Sequence, residues 1–248
     1  MTLTVINKDQ YFKILFKTIR AVHHGINRKE LRGIYRCIKL QKLKISLFHY
    51  DLIPFAIKCM IMVVVIEVPT DQGPAWVIEQ IMTEETLRFI DNFRMSLSLD
   101  SKRPTVDRRF FADNPITRPI SKLIEECLQV IGSCHVFRYQ RFLEYHKEGA
   151  MLDPHTDGQK ICDDTNVTST HTLLLYLTDC LEGGETLLLE NCKSWDSPII
   201  HATKPKRGRI FLFPHASPHA GAKIISVPKI CLRAEVALLG EQKKKKDS

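Results

Sequence analysis

Between residues 152 and 160 the chain reads LDPHTDGQK. His155 and Asp157 stand two apart, after a proline and before a glycine. Taken alone, His-x-Asp is an ordinary tripeptide, and a polar turn is its commonest setting. Within a strand, however, residues i and i+2 share a face. If 152–157 ends a strand, an imidazole and a carboxylate project side by side. Those are two parts of a 2-His-1-carboxylate facial triad, the donor set of non-haem Fe(II) sites that keep open positions. The third ligand then has to come from a later strand, and FLFPHASPHAG offers two candidates, His215 and His219.

The elements that must position these residues are legible in outline. From Cys134 onward, short apolar or alternating runs are separated by turn residues. The runs are HVFRYQRFLEY, HTLLLYLTD, ETLLLE, SPIIHAT, RIFLFPH, AKIISV and KICLRAEVALL, with LEGGE, KPKRG and SPHAG between them. That rhythm predicts an antiparallel sandwich or barrel. Gly183 and Gly184 in EGGET predict a tight turn where positive φ is easy.

Two helices precede the strands. The first runs over 83–97, with Thr83 as N-cap, Glu84 and Glu85 in the first turn, and Leu87, Ile90 and Phe93 on its apolar stripe. The second runs from about Ile116 to Ile131, announced by Asn114–Pro115, with Pro119 able to delay it and Gly132 to stop it. The polar stretch DSKRPTVDRRFFADNP reads as a loop, and Met60–Val68 as a buried strand rather than a membrane-associated segment. Helices first and strands second predict an α+β fold, with the helices on one outer face of the sheet.

Charge divides the chain. Residues 1–58 carry 12 Lys+Arg against 3 Asp+Glu, whereas 59–248 carry 24 against 25. The basic balance therefore belongs to an N-terminal extension over 1–60, with a lysine-rich tail over 241–248, and not to a domain at 75–240. This distribution argues against a nucleic-acid partner for the domain. The basic segment YFKILFKTIRAVHHGI has an amphipathic helical pattern and faintly resembles a transit peptide, so organelle targeting is kept as an option. No run is apolar for long enough to span a bilayer as a helix. The eight cysteines form no C-x-x-C pair, which predicts free thiols in a reducing, intracellular and cytoplasmic setting. Cys162 and Cys180 flank the site region, so a mixed Cys/His zinc site is a rival, without recognisable ligand spacing.

Four blocks in order carry a family resemblance: FLEYHKEGAMLDPHTDG, TLLLYLTDCLEGGETLLL, KPKRGRIFLFPH and HAGAKIISVPKICLRAEV. Together they resemble the Fe(II)- and 2-oxoglutarate-dependent dioxygenases, in the prolyl 4-hydroxylase-like branch. The resemblance covers residues 83–238 and is strongest from 138. It implies a double-stranded β-helix, or jelly roll. It implies Fe(II) held by His155, Asp157 and His219, with His215 as the alternate. His219 is preferred because Ala-Gly follows it and Lys229 lies ten residues on, at the family's spacing for the cation that grips the far carboxylate of 2-oxoglutarate. Arg233, four residues further on the same strand face, is the alternate cation. Tyr145 is the expected assisting tyrosine, with Tyr139 as alternate. Pro228 directly before Lys229 and Val227 in place of a glycine depart from the family pattern.

The activity implied is hydroxylation coupled to oxidative decarboxylation of 2-oxoglutarate to succinate, with O2 as oxidant and ascorbate as an optional addition. The expected substrate is a peptidyl or protein side chain such as proline, then a free amino acid or other small molecule. A nucleic-acid dealkylase would share the iron site, but no spaced arginine pair follows His219. A jelly-roll binding module without activity is the remaining class.

Overall fold

The structure is a computed structural model that describes residues 63–112, 119–162 and 165–239. The chain divides between Met62 and Val63, and only the second unit is described. The expectations for the basic extension 1–60, the start signal at Asn114–Pro115 and the lysine tail Lys243–Lys246 lie outside the described residues.

Twelve strands and two helices follow one another in the described residues. First come β1 (Val64–Val68), β2 (Ala75–Glu79), α1 (Glu84–Ser96), β3 (Asp107–Ala112) and α2 (Pro119–Leu128). Next are β4 (Cys134–Val136), β5 (Tyr139–Tyr145), β6 (Leu152–His155), β7 (His171–Tyr176) and β8 (Thr186–Leu189). The last are β9 (Ile199–Thr203), β10 (Ile210–Pro214), β11 (His219–Gly221) and β12 (Lys229–Leu238). The larger sheet has the order β1-β2-β10-β7-β12-β5-β3, with β4 also on β12, and the smaller has the order β6-β11-β8-β9. Every pairing is antiparallel. Two facing antiparallel sheets with helices against one of them make the expected jelly roll.

The central strands β7 and β12 are apolar on one face and mixed on the other, because each face meets a different layer. Leu173, Leu175, Leu232, Ala234 and Val236 pack outward with Leu87 and Ile90 of α1 and Ile124 of α2. Leu174, Tyr176 and Cys231 face inward with Tyr145, Leu188 and Phe213. The period-two alternation of a strand thus sorts β12 into an outer apolar row and an inner row of Lys229, Cys231, Arg233 and Glu235. Glu144 of β5 points outward and ties the helix layer to the sheet. It accepts from Arg94 Nη1 of α1 at 2.9 Å and Arg109 Nε of β3 at 2.6 Å.

Helix α1 has the expected cap: Thr83 Oγ1 accepts from Thr86 N at 3.2 Å. Helix α2 is shorter than expected, running over Pro119–Leu128, with residues 129–131 in a turn before Gly132 at φ +146°. Three expectations need correction. Within Met60–Val68, the described strand is Val64–Val68, and it is an edge strand in which only Val68 is buried. Its apolar content reflects one-sided pairing with β2, not a buried centre. DSKRPTVDRRFFADNP is not all loop, since Asp107–Ala112 pairs with β5. AKIISV makes only an isolated bridge, Gly183 to Ile224, while the short strand of that region is His219–Gly221.

That bridge explains EGGET. Gly183 and Gly184 sit at φ +70° and +72°, and a Cβ on Gly183 would lie 2.2 Å from the Lys223 carbonyl oxygen. Gly183→Ala is therefore expected to destabilise the fold by more than the ~1–3 kcal/mol of a left-handed non-glycine residue alone, read as a lower urea midpoint. An unchanged midpoint would show that the 183–224 contact does not hold in solution.

Candidate metal centre

The last residue of β6, His155, pairs across the small sheet with the first residue of β11, His219. Asp157 follows two residues after β6, where its backbone N–H donates to the His215 carbonyl at 2.9 Å. One donor atom from each of His155, Asp157 and His219 lies within 4.8 Å of the others. The imidazole Nε2 atoms are 3.9 and 3.5 Å from the two Asp157 oxygens, and the two rings are 4.2 Å apart.

The donor chemistry fits a divalent metal. His155 Nδ1 lies 2.8 Å from the Asp153 carbonyl, and His219 Nδ1 lies 3.0 Å from the Ser217 carbonyl. A carbonyl only accepts, so each Nδ1 carries the proton and each Nε2 keeps its lone pair. Both histidines use the carbonyl two residues back, so the local backbone orients each ring. Burial drives the His219 pKa down to about 4, with His155 pushing the same way, which keeps this imidazole neutral. Burial also works against the charge on Asp157, but Arg233, His219 and a bond from Thr172 outweigh it and hold the carboxyl at about 2. Two imidazole nitrogens and one carboxylate therefore converge.

His215, the alternate ligand, stands elsewhere. It is buried, with Nδ1 2.9 Å from Thr172 Oγ1 and Nε2 2.8 Å from Ser169 Oγ. Thr172 Oγ1 in turn donates to Asp157 Oδ2 at 2.5 Å, and Lys160 N donates to Ser169 Oγ at 2.8 Å. The two ends set the direction of the chain. The Thr172 proton goes to the carboxylate, so its lone pair takes the Nδ1–H of His215. Both ring nitrogens are thereby used, and His215 braces Asp157 instead of joining it. His215→Ala is expected to weaken metal binding about 10–100-fold, as for an outer residue that orients a ligand, while His219→Ala removes a donor outright. Calorimetric titration with Mn(II) distinguishes them, and the reverse order would make His215 the ligand.

The inner face of β12 continues the site. Lys229 lies directly across from Tyr145 of β5, its Nζ 5.4 Å from the ring centroid. The Lys229 side chain is buried, and burial lowers its pKa, with Glu185 acting the other way. Among the described residues it forms no ion pair and no hydrogen bond, and the carboxylate whose charge reaches it is that of Glu185. The proline at 228 does not loosen its placement. Thr178 Oγ1 donates to the Pro228 carbonyl at 3.0 Å and accepts from Ile230 N at 2.9 Å, pinning the strand on both sides of Lys229.

Arg233 shares that face but is engaged. Its Nη2 is 2.8 Å from Asp157 Oδ1 and its Nη1 is 2.5 Å from Glu235 Oε1. Both arms hold carboxylates of the chain itself, so the alternate cation is already engaged. Tyr139 occupies the far end of β5 at 60% exposure, so of the two tyrosines only Tyr145 lies beside Lys229. No described cysteine belongs to the donor group. Sequence reasoning missed Thr172 and Ser169. The signal was there, since Thr172 is the polar residue on the inner row of the otherwise apolar LLLY run.

Residues 137–234 match the model of the 2OG-Fe(II) oxygenase superfamily. No curated protein matches the sequence. Several solved structures are similar. The viral collagen prolyl hydroxylase from Paramecium Bursaria Chlorella virus-1 is 20% identical, covering 66% of this chain and 90% of its own, with a TM-score of 0.47. HygX from Streptomyces hygroscopicus, solved with nickel, 2-oxoglutarate and hygromycin B bound, is 12% identical over 67% of this chain and 83% of its own, with a TM-score of 0.49. An oxidoreductase of the 2OG-Fe(II) oxygenase family from Burkholderia pseudomallei is 12% identical over 63% and 80%, with a TM-score of 0.47. The matched stretch 137–234 begins before β5, takes in all three converging donors and ends within β12, and this part of the chain carries the features of the 2OG-Fe(II) oxygenase superfamily, oxidoreductases that use Fe(II), 2-oxoglutarate and O2.

Proposed function

We propose that this chain hydroxylates a peptidyl or protein side chain, in the manner of a prolyl hydroxylase, through a catalytic unit over 75–240 to which β1 adds an edge strand. His155, Asp157 and His219 hold the metal through Nε2, a carboxylate oxygen and Nε2. Lys229, assisted by Tyr145, holds the far carboxylate of 2-oxoglutarate. The observation that carries the reading is the buried Lys229 side chain, whose ammonium forms no ion pair or hydrogen bond among the described residues and feels a carboxylate only at longer range, from Glu185. An unpaired buried ammonium is strongly disfavoured unless an anion joins it. A dicarboxylate with one end on Lys229 and the other toward the donor triad supplies that anion.

Iron bound there, with 2-oxoglutarate and O2, supplies oxidative decarboxylation of the cosubstrate to succinate and CO2, coupled to hydroxylation of the substrate. The protein does the rest by position. The relay from Lys160 N through Ser169, His215 and Thr172 fixes the Asp157 carboxylate. The Asp153 and Ser217 carbonyls fix the two imidazoles. Phe213, whose ring lies 4.7 Å from His219, keeps water from the inner side of that ligand.

The test is succinate formation by the full chain with Fe(II), 2-oxoglutarate and ascorbate, together with anaerobic calorimetry of 2-oxoglutarate on the metal-loaded protein. Cosubstrate binding that needs the metal, and succinate that needs both, is the expected result. Absence of metal-dependent binding would sink the oxygenase reading. A peptide library against a panel of free amino acids then separates the peptidyl reading from the small-molecule one.

A further inference from the structure

Beyond Lys229, the inner face of the larger sheet carries a second group of cations that the proposed chemistry does not use. Arg141 of β5 lies directly across from Arg233 of β12. Arg108 of β3 lies across from Leu143, on the same face and diagonal to Arg141. Arg233 is neutralised by Asp157 and Glu235. Neither Arg108 nor Arg141 forms an ion pair or a side-chain hydrogen bond among the described residues, and carboxylates act on them only at longer range, Asp100 on Arg108 and Glu235 and Asp157 on Arg141. The Nε atoms of both are shielded from water and unpartnered. Burial and the neighbouring Arg233 lower the pKa of Arg141 to about 10, yet a guanidinium keeps its proton. Arg108, Arg141 and Arg233 therefore gather three like charges, and the two nearby carboxylates make their direct ion pairs with Arg233 alone.

The placement says which anion this arrangement awaits. Lys229 and Tyr145 occupy the buried end of β12 and β5, and Lys229 already accounts for the far carboxylate of the cosubstrate. Arg141 and Arg108 lie four and one residues from that end of their strands, toward Tyr139 at 60% and Phe110 at 51% exposure. Phe110 is the residue opposite Arg141. The arginines thus lie on the strand face between the buried Lys229–Tyr145 pair and the exposed Tyr139 and Phe110.

We propose that Arg108 and Arg141 form a subsite for a carboxylate on the oxidised substrate, with Arg233 holding Asp157 behind them. The inference rests on the oxygenase reading for the word substrate and on the arginine geometry for the charge. In a peptidyl substrate the group is an acidic side chain at or beside the oxidised residue. The planar guanidinium fork suits a carboxylate because two N–H donors meet two oxygens.

The probes are capped aspartate (N-acetyl, C-amide) and its neutral isostere, capped asparagine. Each is titrated into the full chain loaded with Mn(II) and saturating 2-oxoglutarate, with heat and melting temperature as readouts. Capped aspartate is expected to bind at least about tenfold tighter than capped asparagine, as a charge-assisted pair does. Arg141→Gln and, separately, the half-exposed Arg108→Gln should bring the two probes level, while Arg141→Lys keeps part of the preference. Equal binding of both probes, binding of neither, no change in both glutamine variants, or tighter binding of inorganic phosphate overturns the proposal. So does displacement of 2-oxoglutarate by capped aspartate, which would make the arginines part of the cosubstrate site. Titration of 2-oxoglutarate alone is run in parallel. If it fails to bind, the oxygenase reading falls, and the capped-aspartate titration still reports on the arginine pair by itself.

Discussion

Asp157→Ala loses metal binding by more than the ~100-fold expected for an outer orienting residue, and succinate formation falls with it. The same substitution destabilises the protein without any metal present. Arg233, at 9% exposure of its side chain, loses the carboxylate that its Nη2 meets, and Thr172 loses its acceptor. Breaking a buried ion pair from one side costs about 3–5 kcal/mol, and the lower end applies because Glu235 still holds Nη1. Asp157→Asn separates the two effects. It keeps an acceptor for Thr172 but removes the charge, so metal affinity falls while much of the stability is retained. Calorimetry with Mn(II) and urea unfolding of the metal-free protein read the two quantities separately. Metal binding by Asp157→Ala equal to the wild type would remove this residue from the site.

Lys229→Met should separate stability from binding in the opposite direction. Without cosubstrate, Lys229 is a buried ammonium with no ion pair, whose burial outweighs the attraction of Glu185, a destabilising element. Methionine fills similar volume with no charge, so the metal-free, cosubstrate-free variant melts above the wild type. Binding of 2-oxoglutarate weakens by about 2–5 kcal/mol, the range for truncating one partner of a buried charge pair, or roughly thirtyfold to several thousandfold. The wild type is stabilised by added 2-oxoglutarate and the variant is not.

The pH dependence follows from the lowered Lys229 pKa. The folded state gives up this proton at lower pH than the unfolded chain. The destabilisation is therefore full below the folded pKa and relieved as pH rises toward the unfolded value. Apo wild type should gain stability across that alkaline range relative to Lys229→Met. A variant that melts lower at every pH and still responds to 2-oxoglutarate would show that Lys229 is an ordinary packing residue.

The residues able to do this chemistry could be picked out before any fold was known, because their spacing is local. His155 and Asp157 share a strand-end face, the ten residues from His219 to Lys229 match a recurring pattern, and EGGET calls for positive φ. Strand rhythm after Cys134 likewise indicates two facing antiparallel sheets, since period-two alternation is a property of each strand by itself. What it does not contain is the identity of the opposite residue. Alternation places Lys229 and Arg233 on the same face with equal claim to the cosubstrate. Only the register of β12 against β5 and the approach of Asp157 show that one is unpaired and the other engaged. Register likewise brings Tyr145, and not Tyr139, beside Lys229.

His215 and His219 are indistinguishable as residue types, and the hydrogen bonds to Ser169 and Thr172, 46 and 43 residues away, decide between them. Strand β3 was hidden for a related reason. Its sequence DRRFFA puts an arginine and a phenylalanine on each face, so no apolar–polar alternation marks it. The outer arginine is satisfied by Glu144 and the inner one faces the site. A sequence thus determines which side chains are available and which way each strand turns them. The tertiary structure decides which charges are neutralised, because that depends on partners brought in from other strands.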